Sequence, residues 1–216
     1  MKSSQWISAA ISCVVYASLV STTSAQQQTD HAVPDHGMMM MGHEHPASVA
    51  ISYEELTRTA GMLEAARKAT AKYQDVQVAE GAGFRAIGPD VPGMGIHYVG
   101  PRHKVFDIER PDILLYEKNP AAPGGLALVG VSYLLNAETD SDGQPKNPPL
   151  PKSLASWHRH ANLCVFPDRS VKANLNEAEC TDQGGHFSAL TEWMVHAWIW
   201  KDSPTGVFSP TNPNVQ

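Results

Sequence analysis

The chain has 216 residues and a formal net charge of −6, with 16 Lys and Arg against 22 Asp and Glu. That length supports one well-buried core. The acidic balance and the lack of any basic cluster exclude nucleic acid and anionic lipid surfaces as partners, which leaves a metal ion or a small molecule. Oligomeric state is left open by the sequence.

Residues 1–25 read as a secretory signal peptide. Lys2 is the one positive charge, an apolar stretch runs from Trp6 to Val20, and Thr23-Ser24-Ala25 supplies the small-residue end. The stretch is too short and too rich in Ser and Thr for a membrane span, and no later segment has the required apolar length. Cleavage before Gln26 would deliver the chain to the periplasm or outside the cell. A lipoprotein-type cleavage at Cys13 is the competing reading, and it lacks the leucine-like residue such a site needs. Cleavage before Gln26 removes Cys13 and leaves Cys164 and Cys180 in an oxidising compartment, where a disulfide is expected. Such a loop stabilises the fold by roughly 3 kcal/mol. The alternative makes Cys164 a thiolate metal ligand beside His158 and His160, with which it shares strand parity.

Residues 26–50 are polar, without apolar periodicity, and read as a disordered metal-binding tail. They carry His31, His36, His43 and His45, with Met38, Met39, Met40 and Met41 in a row. Imidazole with thioether is a donor mix that favours copper over zinc or iron, because soft sulfur suits Cu(I) and imidazole accepts Cu(II). An incidental low-complexity spacer or a tag remnant is the alternative.

Residues 51–216 form a single globular domain by this reading. Ser52 and Glu55 make a capping box, and Leu56, Ala60, Leu63, Ala66, Thr70 and Tyr73 recur at helical spacing, so a helix spans about 53–74. Residues 75–80 continue it or form a second short helix, and Gly81-Ala82-Gly83 stops it. Strands are expected at 96–99, 113–117 and 126–135, the last two joined through turn residues 119–125. Residues 137–151 form a proline-rich loop that would serve as a lid or rim. A strand at 157–166, a Cys-bridged excursion over 167–186, a strand at 190–200 and a turn-rich tail follow. One long helix followed by several short strands gives an α+β fold, with the N-terminal helix packed on an antiparallel sheet, open or curled into a small barrel.

The chemistry concentrates in histidine. On a strand, His158 and His160 point to one face, side by side at a spacing that suits a single ion. His97 and His196 each interrupt an apolar run. A buried neutral imidazole needs both nitrogens satisfied, which a metal and an outer acceptor accomplish together. His97, His158, His160 and His196 are therefore the candidate metal ligands. As a strand, 190–200 would place His196 on one face with Met194, Trp198 and Trp200, walling the site with aromatics. His103 and His186 sit in polar loops and read as solvated. No phosphate loop, dinucleotide fingerprint, serine nucleophile elbow or His-Glu-x-x-His motif occurs.

Met94-Gly95-Ile96-His97-Tyr98, Trp157-His158-x-His160-x-Asn162-Leu163-Cys164 and Met194-Val195-His196-Ala197-Trp198 together resemble recurring motifs of a group of uncharacterised secreted bacterial proteins, over about residues 53–213. The resemblance implies a shared architecture and histidine pattern and supplies no reaction. The His-x-His element is also similar to the first cupin motif, which has a Glu a few residues on and a distant His. Here Cys164 stands where that Glu is expected, and His196 is the candidate distant histidine.

Three functions follow as expectations. The first is an exported copper-binding protein with the Met/His tail as collector and the four histidines as the ordered site. The second is a metal-dependent oxidoreductase or hydrolase with the same ion beneath the 137–151 lid, in a pocket lined by Tyr98, Trp157 and Trp198. The third is an extracellular interaction domain without metal.

Overall fold

A computed structural model describes residues 51–216, so the signal segment, Cys13 and the tail histidines and methionines lie outside the described residues. The leading helix, α1 (Tyr53–Thr70), opens with the expected capping box: Ser52 Oγ accepts from Glu55 N–H, and Glu55 accepts from Ser52 N–H. It ends earlier than the periodicity predicts. A 3-10 turn (Ala71–Gln74) tightens its last residues, and α2 (Val76–Gly81) starts afresh with Asp75 capping Gln77 N–H. Gly83, at φ 95°, then turns the chain into the sheet, a conformation that suits glycine.

The main sheet has five antiparallel strands. They are β1 (Arg85–Val91), β2 (Gly95–Val99), β3 (Ile113–Lys118), β4 (Leu126–Leu135) and β8 (Trp193–Ala197), in the order β1-β2-β3-β4-β8. A second sheet joins β5 (Ala161–Val165), β6 (Val171–Ala173) and β7 (His186–Leu190) in the order β6-β5-β7, and α3 (Glu177–Asp182) packs beside it. The fold is α+β with antiparallel sheets. It is not a closed barrel, because β1 and β8 remain the two edges of the main sheet. No described helix is long and apolar enough to cross a membrane.

Alternation along the strands sends side chains to two different environments. Leu114, Tyr116, Val131, Tyr133, Val195 and Ala197 face the larger core with Ala66 of α1 and Trp157. Ile113, Leu115, Val129, Met194 and Trp198 face the other way and meet Val215 of the C-terminal segment. His97 on β2 and His196 on β8 have the parity of this second face. The second sheet is pinned by the expected disulfide, Cys164–Cys180, with Cα atoms 5.6 Å apart. Gly185 lies against it, since a Cβ there would fall 2.3 Å from Cys164 Sγ.

Candidate metal centre

The regular strand begins only at Ala161, so His158 and His160 belong to its extended lead-in and not to a strand over 157–166. That lead-in is held by hydrogen bonds to the far edge of β8. His158 N–H donates to Met194 O (2.9 Å) and Met194 N–H to His158 O (2.8 Å), while Thr191 N–H donates to His160 O (2.9 Å). Asn162, the second residue of β5, has a φ of 54°, which bends the start of that strand. The sequence treated 157–166 as one element. The backbone divides it: His158 pairs with Met194 at the edge of β8, and the residues from Ala161 onward pair with β6 and β7.

Side by side, the two rings lie 5.3 Å apart centre to centre. His158 is 5.1 Å from His196, and His196 is 5.8 Å from His97. Three strand spacings separate β2 from β8, about 14 Å in a flat sheet, so the sheet curls around this face to bring His97 and His196 together. All four candidate histidines therefore gather in one chain of neighbouring rings. With a metal–nitrogen bond of roughly 2.0 Å and about 1.1 Å more to the ring centre, two imidazoles on one tetrahedral ion sit about 5 Å apart. The ring centres have that spacing. Their nitrogens are not yet gathered to a point, and no group of three or more His, Cys, Asp or Glu side chains among the described residues meets the spacing of a metal site.

The tautomers are fixed by backbone carbonyls. His196 Nδ1 lies 2.7 Å from Pro210 O, and a carbonyl only accepts, so Nδ1 carries the proton and Nε2 the lone pair. His158 Nδ1 is held in the same way by Ser156 O at 3.1 Å. Metal-ligating histidines are oriented by this kind of outer hydrogen bond. His196 is fully buried, yet its Nε2 has no partner among the described residues. Ser132, directly across from it on β4 and so on the same face, is also fully buried with an unpartnered Oγ.

Charge is disfavoured at His196, His97 and His160. Desolvation pushes His196 down from 6.5 to about 3, helped by its three histidine neighbours and opposed by the Pro210 hydrogen bond. It pushes His97 to about 4, with the His160 and His158 rings adding to the effect. His97 keeps a partly exposed edge, but the protein around it is dense enough for burial to dominate. His160 is lowered too, by desolvation and by His158. Neutral rings at neutral pH are the form that binds a cation without first losing a proton.

Several expected neighbours sit elsewhere. Cys164 is fully buried in its disulfide, so it is not a thiolate ligand. Trp198 does flank the site, 5.5 Å from His196, and donates Nε1–H to Ser209 O. Trp200 does not: the strand ends at Ala197, and its indole turns to α1, donating to Thr70 Oγ1 beneath the Arg67 guanidinium. Tyr98 and Trp157 belong to the larger core, so they do not line a pocket with Trp198. The 137–151 loop is tied down where Leu150 is buried and its carbonyl accepts from Trp157 Nε1. Two cavities, of about 370 and 480 Å³, open around the 103–111 loop and are lined by His103 but by none of the four clustered histidines. His186 is exposed.

Ser132 and the Pro210 carbonyl were not legible as site components. Ser132 is a small hydroxyl inside an apolar run, and Pro210 belongs to a tail whose sequence reads only as turns. No family model matches the chain, and no curated protein or solved structure is significantly similar to it.

Proposed function

We propose that the chain is an exported metal-binding protein, most favourably for copper, in which His97, His158, His160 and His196 hold one ion and the Met/His segment at 31–45 collects it. The observation that carries the reading is His196 Nε2. A buried imidazole nitrogen, its tautomer locked by Pro210 and its lone pair unmatched, costs about 1–3 kcal/mol unless a ligand takes it. His97 and His158 lie beside that ring, and His160 lies beside His158. Closing on an ion requires the rings to rotate about χ2, a broad and soft torsion for histidine. The disulfide fits an oxidising compartment, which supports export.

Calorimetric titration of the chain lacking residues 1–25 with Cu(II) tests this. One tight site is expected beyond the weaker tail binding, and His158→Ala with His160→Ala removes it. Equal heats from the parent and the double variant would end the reading. A catalytic metal site is the second reading, favoured by His158 and His160 being only half-buried, so that a bound ion would keep a side toward solvent. Azide, a small exogenous anion, would then perturb the copper spectrum, and an unchanged spectrum would exclude an open position.

A further inference from the structure

Met194 occupies an unusual place for a core methionine. Its backbone closes a two-way hydrogen-bonded pair with His158, and directly opposed residues of antiparallel segments project from the same face. On β8 it stands two residues before His196 and shares that face as well. The His158 and His196 rings are themselves 5.1 Å apart, so Met194 lies at the base of the space between them. It is 8 % exposed, and its companions on this face are Ile113, Leu115, Val129, Trp198 and Val215, none of which offers a soft donor atom.

We propose that Met194 places its thioether sulfur on the same ion as the histidines, which makes the centre selective for copper, and for Cu(I) above all, over zinc. This rests on the metal-binding reading above. The side chain is unbranched, with three rotatable bonds and a polarisable sulfur, so it reaches an ion from a packed position without moving the strand. Zinc sites use thiolate, imidazole and carboxylate, whereas thioether is a copper ligand. Charge points the same way. Imidazole and thioether are neutral, so the ion's whole charge enters an apolar face, and burying one charge there costs far less than burying two.

The experiment uses the chain with Met38→Leu, Met39→Leu, Met40→Leu and Met41→Leu, so that tail sulfur is absent, and compares it with the same chain carrying Met194→Leu. Leucine nearly conserves the volume, and the parent alone supplies a second readout if the variant folds poorly. X-ray absorption of the Cu(I)-loaded parent shows a sulfur neighbour that Met194→Leu removes. Chelator competition shows Cu(I) affinity falling about tenfold or more while zinc affinity stays within about twofold. A copper-bound parent with nitrogen neighbours only, or equal losses for both ions, overturns the Met194 assignment and leaves the histidine site standing. A parent that binds neither ion overturns both.

Discussion

The two faces of the main sheet place their unmatched polar atoms differently. On the face toward α1, Tyr116 Oη donates to Tyr73 O (2.6 Å) and Tyr133 Oη to Ile108 O (2.7 Å), so both of these buried phenols have a partner. Burial also raises the pKa of both, keeping them neutral donors. On the opposite face, His196 Nε2 and Ser132 Oγ, cross-strand neighbours, have none. The α1 side also holds unmatched atoms, Trp193 Nε1 and Thr59 Oγ1, but the opposite face sets two unmatched groups directly across from each other, one of them an imidazole lone pair that a cation can take.

Separating the faces experimentally produces the largest effects first. Leu114 is fully buried on the α1 face, and Leu114→Ala is expected to cost about 2–5 kcal/mol in urea unfolding. Copper affinity of the folded fraction should not change. His196→Asn should do the reverse, because the amide retains a donor toward Pro210 while the Nε2 lone pair is lost. Copper affinity is expected to fall about a hundredfold, or about 2.7 kcal/mol, with unfolding of the metal-free protein shifted by less than about 1 kcal/mol. A variant that loses stability and copper binding in proportion would show that the faces are one cooperative structure and that the site has no chemistry of its own.

How far this division was legible from sequence depends on the residue. The capping box at Ser52 and Glu55 announced α1, and the apolar run at 126–135 marked β4 with both ends correct. β1 was missed because Gly88 and Pro89 read as turn residues. An edge strand tolerates a proline, whose missing N–H costs nothing on the unpaired side. β6 and α3 were hidden in the Cys-bridged excursion, although Asn176 and Glu179 form a capping box that pattern reading can detect, and β7 fell between that excursion and the strand expected at 190–200. His158 and His160 were singled out by their same-face spacing on an expected strand, and His97 and His196 by their apolar settings, and the structure brings their rings into one chain of neighbours. The curl of the sheet that does so is a tertiary property, invisible to any local pattern. The split of 157–166 is likewise a matter of long-range pairing, with Met194 for the early residues and with β6 and β7 for the later ones.

Acid should act on the histidine face before the α1 face. His97 and His196 have folded pKa values of about 4 and about 3 against 6.5 for an unperturbed ring. Between those limits the unfolded chain binds more protons than the folded one. The stability their neutral forms contribute is therefore complete above about pH 6.5, declines as pH falls, and is lost through the folded pKa values. The slope is up to about 1.4 kcal/mol per pH unit for each ring. Urea midpoints of the metal-free protein at pH 7, 6 and 5 should decline accordingly, and His196→Asn should flatten the decline. An identical slope in the variant would place the acid sensitivity elsewhere.

The smallest effect discriminates best, because it concerns one hydroxyl on each face. Tyr116→Phe strips a made hydrogen bond and leaves the Tyr73 carbonyl short of a donor, so it should cost about 1 kcal/mol. Ser132→Ala strips a buried hydroxyl that has no partner, and removing an unmatched polar atom from an apolar face is neutral or stabilising. In the metal-free protein the two substitutions should therefore shift the unfolding midpoint in opposite directions, or Ser132→Ala should leave it unmoved. Similar losses for both would mean that Ser132 is satisfied in solution, and that polar matching is the same on the two sides of the sheet.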